Sequence, residues 1–590
     1  MNEFVTPPGA SRPLAGRGGG PASITLALIL ATGMALFLLL PVGLAIRRAF
    51  VADGGLSLYW FGEALGSKVL IGNLTNSAVL ACTTTALCLA IAVPLALLRA
   101  RCRFAGQGVL GVGVLLPMIL PPFVGALSMR RLFSQFGVVN QLLERIGVLD
   151  FASSLPPDWL GGGFAGVVFL QSLHLFPILY LNASAALANV DPTYSQAARN
   201  LGAGPVRTFF RVTLPLMRPG LFAGGTIVFI WAFTDVGTPL ILNYTHLIPV
   251  TIFKDLARAD TGGLTYSLVF VMLTGSVGLY VLGKFLFGRA AGAESSKASI
   301  AAETRRLGFL GTLGAWALFG VVILLAVLPH VGVVLTGFAR RWVSTILPEG
   351  YTLKHIAFVV SHPATYHSLL NSLKYAGLST GFDIALGSLA AWLIIRARVR
   401  GRNILDGLMM LPLAVPGMIL AAGYVALTAT NWVGGPLGGW LESIGPAKNP
   451  FWILVIAYTV RRIPFVVRGV SAGLQQVPLA LEEAARNLGS SRAGAFWRIT
   501  LPLIAANIVA AGVLTFAFAM LEVSDSLILA QKQEYYPITK QLYELATSTG
   551  SPETGYQAAA LGVYGMVLLA GTLAVAGALL GRRLGAIFRA

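Results

Sequence analysis

Charged side chains are scarce in this chain, since Asp, Glu, Lys and Arg together make up only 11% of its 590 residues. Soluble proteins carry about 25% of charged residues. With 56% hydrophobic residues and a mean hydropathy of +0.77, the chain has too little polar surface to remain dispersed in water. This composition excludes a soluble globular protein and predicts a polytopic membrane protein in a lipid bilayer.

Cysteine and histidine are few as well, and their spacing excludes several kinds of site. The three cysteines (Cys82, Cys88 and Cys102) form an odd, scattered set, which argues against a disulfide framework. The six histidines form no HExxH-type pair, and no G-x-S-x-G motif occurs. We therefore predict no metal site and no catalytic residues.

Acidic residues are outnumbered, with 23 Asp and Glu against 42 Lys and Arg, and the net charge is +19. The basic residues lie in short clusters between apolar runs, as in the loops of membrane proteins, and form no stripe or tail that would suit nucleic acid. The segments on one side of the predicted spans carry more Lys and Arg, although the loops on the other side are generally longer. This asymmetry predicts that both termini are cytoplasmic.

Long apolar runs define the predicted architecture, because a membrane-spanning helix needs about 20 mostly apolar residues. We predict an all-α polytopic membrane protein of about twelve transmembrane helices. The predicted spans lie near residues 24–46, 73–98, 107–127, 164–187, 220–242, 265–287, 309–336, 371–395, 405–429, 450–467, 506–530 and 556–580. They divide the chain into a disordered cytoplasmic tail (1–21), a first transmembrane domain (22–288), a cytoplasmic linker (289–308) and a second transmembrane domain (309–590).

An internal repeat relates the two domains. Residues 196–216 (QAARNLGAGPVRTFFRVTLPL) match residues 483–503 (EAARNLGSSRAGAFWRITLPL) at an offset of 287. Earlier in each domain the offset is 295, which pairs Asn76 with Asn371 and Pro117 with Pro412. Because an even number of spans separates the copies, the two six-helix repeats are parallel and should be related by a pseudo-twofold axis along the membrane normal.

Each copy of the repeat predicts a helical elbow on the cytoplasmic side. A short helix is expected over residues 192–200 and 479–487, glycine is expected to allow the reversal that ends it, and a Leu-Pro pair is expected to start the next span. The residues of the two loops are Gln196, Ala197, Ala198, Gly202, Leu214 and Pro215 in the first copy and Glu483, Ala484, Ala485, Gly489, Leu501 and Pro502 in the second. Two such copies favour the docking of a common partner over an interfacial helix that has none.

The pattern E-A-A, three residues, Gly, nine residues, Ile-x-Leu-Pro resembles the signature loop of binding-protein-dependent ATP-binding-cassette importer permeases. The second copy matches it fully, whereas the first has Gln196 in place of Glu and Val212 in place of Ile. The resemblance implies a MetI-like transmembrane domain present twice, as in fused ferric-iron and phosphonate permeases. It also implies a multi-pass location in the bacterial inner membrane.

The resemblance further implies the partners. The elbows would be coupling helices that dock on a cytoplasmic ATPase dimer, and a periplasmic or lipid-anchored substrate-binding protein would deliver the solute. The dimer would bind ATP and Mg²⁺, so this chain would need no cofactor and would not itself be an enzyme. Ferric iron is the favoured substrate, while a phosphonate, a sugar phosphate or a polyamine stays open, as does a self-contained secondary transporter.

Ionisable residues inside spans are candidates for a solute path, because they are costly in lipid. His174 and Arg461 are equivalent at the offset of 287, and so are Asp235 and Glu522. The alternative interpretation is structural: Arg461 and Arg462 would extend to the cytoplasmic interface, and the two acids would cap helices or form salt bridges. The segment Gly278–Phe285 resembles a phosphate-binding loop but lies in an apolar run and lacks the Ser or Thr after Lys284.

Overall fold

The fold is described by a computed structural model for residues 20–119, 122–151, 154–257, 262–287, 305–397, 399–429, 435–548 and 550–580. Almost all of the predicted tail (1–21) and most of the predicted linker (289–308) lie outside these residues. Within the described residues the chain is helical, apart from three short pairs of strands and the connecting turns. The all-α class predicted from the sequence is confirmed.

The helices of the first half alternate between long apolar segments and short connecting ones. In chain order they are α1 (Pro21–Met34), α2 (Leu40–Ala49), α3 (Tyr59–Gly66), α4 (Lys68–Arg101), α5 (Gln107–Gly113), α6 (Leu116–Ile119), α7 (Pro122–Phe133), α8 (Val138–Arg145), α9 (Phe164–Ala188), α10 (Pro192–Asn200), α11 (Pro205–Thr208), α12 (Leu214–Thr234), α13 (Gly237–Ile241), α14 (Ile248–Ala257) and α15 (Gly263–Phe287).

The second half repeats this order. Its helices are α16 (Phe309–Phe338), α17 (Lys354–Ser361), α18 (Pro363–Trp392), α19 (Arg402–Met410), α20 (Gly417–Thr428), α21 (Gly435–Ser443), α22 (Phe451–Gln476), α23 (Leu479–Asn487), α24 (Arg492–Ala495), α25 (Leu501–Met520), α26 (Ser524–Leu529), α27 (Ile538–Thr547) and α28 (Thr554–Leu580). The π-helical turns are Ala35–Leu39, Phe209–Thr213, Leu393–Ala397 and Phe496–Thr500, and the 3₁₀ turns are Gly161–Gly163, Leu411–Leu413 and Gln533–Tyr535.

Ten of the predicted spans meet a test of length and apolarity within the described residues. Eight are single helices, some continued through a π-helical turn, and two are bent pairs of helices. The other two predicted spans correspond to α15, whose apolar described part covers only Gly263–Leu279, and to α22, which carries Arg461, Arg462 and Arg468. The multi-span architecture is therefore confirmed, and the total of twelve stays a prediction.

The third span of each half is broken by a sharp bend, a feature that the predictions for 107–127 and 405–429 did not include. The segment Arg402–Leu413 meets Gly417–Thr428 at 99°, and Gln107–Met118 meets Pro122–Arg145 at 92°. Proline explains the break in the second half, because Pro412 and Pro416 have no N–H to donate and their rings clash with the preceding turn.

The Leu-Pro pairs begin α12 (Leu214–Thr234) and α25 (Leu501–Met520), as predicted from the repeat, and helical backbone also precedes each pair. Continuous helical segments run over Pro205–Thr234 and Ala493–Met520, so Pro215 and Pro502 lie inside them. A five-residue π-helical turn comes immediately before each Leu-Pro pair. A π turn widens the helix by one residue, and this accommodates the ring and the missing N–H of the proline.

The first span of each half packs against the other half. In one direction, α2 packs on α20, and the Tyr424 hydroxyl donates to the Phe37 carbonyl at 2.7 Å. In the other, α16 packs on α7, and the Ser128 hydroxyl donates to the Pro329 carbonyl. Because the first span of each half packs against the other half, the buried apolar residues of the two halves form one core.

The strand pairs are short and lie between helices. Val51–Ala52 (β1) pairs with Gly55–Leu56 (β2), and Ala339–Arg341 (β5) pairs with Gly350–Tyr351 (β6), both antiparallel and both following the first span of a half. The third pair is parallel and joins Cys102–Arg103 (β3) to Arg305–Arg306 (β4). It fixes the start of the second half against the loop that follows α4.

The predicted topology can be tested by labelling two exposed positions. In a background with Cys82, Cys88 and Cys102 replaced by Ser, Leu201→Cys should react with a membrane-impermeant maleimide only after the cells are opened. Leu347→Cys should react in intact cells whose outer membrane is permeabilised, because it lies beyond α16 on the opposite side. Both leucines are exposed, so labelling of both from the same side would contradict the topology.

Candidate functional site

Two elbow helices extend from the bundle at equivalent places. The first elbow consists of α10 with residues 201–204, and the second consists of α23 with residues 488–491. Neither α10 nor α23 contains a buried residue. The helix bounds predicted from the repeat, 192–200 and 479–487, are confirmed.

Both elbows end in the same backbone motif. Gly202 has φ +81° and Gly489 has φ +89°, so each adopts the left-handed conformation that favours glycine. The N–H of Ala203 donates to the Ala198 carbonyl at 3.0 Å, and the N–H of Ser490 donates to the Ala485 carbonyl at 3.0 Å. These six-to-one hydrogen bonds define a Schellman motif, which fixes the direction in which the chain leaves the helix.

The tip of each elbow presents an apolar side chain to the outside. Leu201 and Leu488, the residues directly before the two glycines, are each 89% exposed. Beside the second tip lies a depression of 410 Å³ lined by Glu483, Arg486, Asn487, Ser490 and Ser491. An exposed leucine next to a polar depression, present on a rigid helix end, is suited to docking on another protein.

The first elbow is anchored at its start by a helix cap. The Asp191 carboxylate accepts a hydrogen bond from the Thr193 N–H at 2.8 Å. Hydrogen bonds from the Thr193 backbone and side chain stabilise the ionised form and hold the pKa of the Asp191 carboxyl below its usual value. The cap satisfies an N–H that would otherwise lack a partner at the helix start.

A second feature is a cluster of charged side chains in the core of the second half, here called the ionic cluster (Arg461, Arg462, Glu522 and Asp525). Arg461 binds both acids, at 2.7 Å to Glu522 and 3.0 Å to Asp525. Arg462 binds the second oxygen of Glu522 and donates to the Phe518 carbonyl at 2.8 Å. All four side chains are buried or largely buried, so each charge is balanced by an opposite one.

The first half has a counterpart without arginine at the same place. The Gln171 amide donates to Asp235 at 2.9 Å, and the Gly237 N–H donates to the other Asp235 oxygen at 3.1 Å. Gln171 in turn lies 3.4 Å from the Thr84 hydroxyl, which donates to it. Asp235 and Glu522 thus occupy equivalent positions but have different partners.

Each of these acids lies at a backbone break and accepts from the helix that follows it. Asp235 comes directly after α12 and accepts from Gly237, and Glu522 comes after α25 and accepts from the Asp525 N–H at 3.2 Å. The two breaks meet at the interface of the halves, where Val523 Cγ1 lies 2.9 Å from the point at which a Gly237 β-carbon would stand.

The other two residues of the predicted solute path lie at the broken third spans. His174 Nδ1 is 2.8 Å from the Pro117 carbonyl oxygen. The Arg461 guanidinium packs so closely on Gly417 that a β-carbon there would lie 2.2 Å from Nη1. The structure therefore groups all four residues around breaks in the membrane helices of their halves.

Comparison with known families agrees with this arrangement. A family model described as "Binding-protein-dependent transport system inner membrane component" matches residues 92–292 and 383–589. These two stretches cover more than half of the chain, and each contains one elbow and one of the paired acids. The chain belongs to this family of ABC importer permeases.

Relatives of this permease carry similar descriptions. It is 27% identical over 474 residues to the putative ferric transport system permease protein FbpB 1 of Haemophilus influenzae, covering 78% of this chain and 70% of the relative. It is 26% identical over 558 residues to the probable ABC transporter permease protein y4fN of Sinorhizobium fredii, covering 93% and 94%. A solved bacterial ABC transporter involved in alginate import matches with 19% identity and a TM-score of 0.37, covering 45% of this chain and 95% of that one.

The permease structure decides between two interpretations of the arginines. Arg461 and Arg462 do not extend to the cytoplasmic interface, because their guanidinium groups bind Glu522 and Asp525 inside the core. The salt bridges considered as the structural alternative are therefore present in the second half. A role of His174, Asp235, Arg461 and Glu522 in the solute path stays a prediction.

Sequence reasoning missed two acids of this region, Asp525 and Asp383. Asp525 lies three residues after Glu522, a proximity in the sequence that could have drawn attention to it. Asp383 is buried in α18, and neither of its carboxylate oxygens has a hydrogen-bond partner within the described residues. Asp383 corresponds to Cys88 of the first half at the offset of 295. Because the two residues differ in type, the repeat did not indicate an acid at this position.

We predict that removal of an acid from the ionic cluster destabilises the permease more than removal of the equivalent acid in the first half. Glu522→Gln should lower the free energy of unfolding by about 3–5 kcal/mol, since it leaves buried arginine charge uncompensated. The matched variant Asp235→Asn keeps an acceptor oxygen for one of the two donors, Gln171 and Gly237, and should lower it less, by about 1–3 kcal/mol. The measurement is the thermal unfolding midpoint of each purified variant in detergent, and equal shifts for the two would refute the difference.

Proposed function

We propose that this permease forms the solute pore across the inner membrane, with both termini in the cytoplasm, and that its two elbows dock on a separate ATPase dimer. A periplasmic or lipid-anchored binding protein delivers the solute from outside. The chain has no nucleotide site, cofactor or catalytic residues of its own in this proposal. The observation that carries it is the pair of exposed elbows with matching leucines, glycines and terminal hydrogen bonds.

The path from an elbow to the pore is a single helical segment. From the second elbow, Ala493–Met520 runs through the π turn to the break at Glu522. At 1.5 Å per residue its 28 residues span about 42 Å, enough to cross the hydrocarbon core. Movement of the elbow would therefore shift the break where Val523 contacts Gly237, and separation of these two segments would open the pore between the halves.

Ferric iron is the proposed substrate, in keeping with the description of the Haemophilus relative. The charge distribution supports a cation over an anion. Both arginines of the ionic cluster are bound to acids, so their positive charge is not available to a phosphonate or a sugar phosphate. Asp383 adds a buried carboxylate without a hydrogen-bond partner among the described residues.

The docking role of the elbows can be tested at their glycines. Gly489→Arg forces a side chain into the left-handed region at a cost of about 1–2 kcal/mol, and, apart from its chain neighbours, no atom of the described residues lies within 4 Å of the new β-carbon. The variant should therefore still insert into the membrane. Solute uptake and ATP hydrolysis stimulated by the binding protein should be lost, because the docking surface is displaced. The measurement is uptake and ATP hydrolysis in reconstituted vesicles in which the bound ATPase subunit is quantified.

Gly202→Arg is the matched variant in the first elbow and should have a milder effect, because Gln196 there replaces the carboxylate of Glu483. Normal transport by Gly489→Arg, with the ATPase subunit still bound, would contradict the proposal. Uptake by the purified chain alone under an ion gradient would instead identify a secondary transporter.

The substrate can be tested by comparing loaded binding proteins. Vesicles that contain the permease and its ATPase subunit should hydrolyse ATP faster with a ferric-iron binding protein than with proteins loaded with a phosphonate, a sugar phosphate or a polyamine. The iron-free binding protein is the control for stimulation by the protein itself. Preferential stimulation by any of the other three would replace ferric iron as the substrate while leaving the import function intact.

A further inference from the structure

In each half an arginine and a threonine lie on the two membrane segments beside the elbow, but only in the second half does a residue of the elbow bind them. In the first half, Arg101 at the end of α4 donates to the buried Thr213 hydroxyl at 2.6 Å. The equivalent residues of the second half are Arg396, at the offset of 295, and Thr500, at the offset of 287. Here a third residue, Glu482 of the elbow helix, stands between them.

Glu482 contacts two different membrane helices through one oxygen. Its Oε1 lies 3.0 Å from Arg396 Nε, in the π turn that ends α18, and accepts from the Thr500 hydroxyl at 2.8 Å, directly before α25. Arg396 also donates to the Val477 carbonyl at 2.7 Å, just before the elbow begins. The side chains of Arg396 and Glu482 are only 10% and 20% exposed, so water screens this ion pair less than a surface one.

The attachment matters because little else holds the second elbow. The helix α23 has no buried residue, so apolar packing contributes little to its position. In the first half the residue equivalent to Glu482 is Ser195, which has no charge to offer Arg101. The ion pair therefore belongs to the second elbow and has no acidic equivalent in the first.

The neighbouring carboxylates of Glu482 and Glu483 face in different directions. Residues adjacent on a helix point about 100° apart, and Glu483 is exposed and lines the depression beside the tip. Glu482 faces the membrane helices instead. Resting on the coupling role of the elbows, we propose that Glu482 is the positioning residue that transmits movement of the second elbow to α18 and α25, and that the first elbow lacks this link.

The test separates attachment of the elbow from docking of the ATPase. Glu482→Gln removes the charge but keeps the size of the side chain. Uptake of solute per ATP hydrolysed should fall by about tenfold, in the usual range for loss of coupling between sites, while the ATPase subunit co-purifies in wild-type amount. Glu483→Gln is the matched control and should instead reduce co-purification of the ATPase subunit.

A charge exchange provides the second arm. The double variant Glu482→Arg with Arg396→Glu should regain much of the uptake that either single change loses, because an ion pair can form again at the same place. An exchanged pair as inactive as the single variants, or wild-type uptake per ATP in Glu482→Gln, would overturn the inference. If Gly489→Arg and Glu483→Gln also leave ATPase binding and uptake unchanged, the coupling role of the elbows fails as well.

Discussion

Backbone breaks inside an apolar bundle require polar partners, and this constraint organises the centre of the permease. No water is available in the hydrocarbon core, so each freed N–H or C=O must be bound by the protein itself. The breaks after α12 and α25 are each satisfied by the acid that follows the helix, Asp235 for the Gly237 N–H and Glu522 for the Asp525 N–H. At the broken third span of the first half, the His174 ring lies within hydrogen-bond distance of the Pro117 carbonyl oxygen.

Both halves have an acid at this backbone break, but the side chains that bind the acid differ in charge. Where the first half has the pair of Gln171 with Asp235, the second has two arginines and two acids. A fully paired ionic cluster is costly to desolvate and adds little stability over an apolar core, but removal of one partner is strongly destabilising. The second half therefore depends on its charges in a way that the first does not, and the duplication has kept the backbone while the side chains diverged.

The same asymmetry extends to the elbows. The elbows have matching ends and equally exposed leucines, which is what docking on a symmetric ATPase dimer would require. Their attachments differ, since only the second contains the ion pair of Glu482 with Arg396. Under the proposed function, two equivalent docking surfaces would thus transmit movement unequally to the pore between them.

The sequence alone determined the membrane class, the duplication and the elbows. These features depend on apolar runs, on glycine at a left-handed position and on local identity between residues 196–216 and 483–503, all of which are visible in a linear pattern. Local geometry follows from local sequence, and so the elbow helices and the conformations of Gly202 and Gly489 were correctly predicted.

Only the tertiary structure decided which charges pair and where the spans break. Arg461 and Glu522 are separated by 61 positions, and nothing in their spacing distinguishes a salt bridge from a side chain that extends to the interface. The π turn before α25 is also visible only in the structure, because a sequence pattern does not show that helical backbone continues on both sides of the Leu-Pro pair. Likewise, the division of roles between Glu482 and Glu483 depends on which face of α23 lies against α18, and packing alone fixes that face.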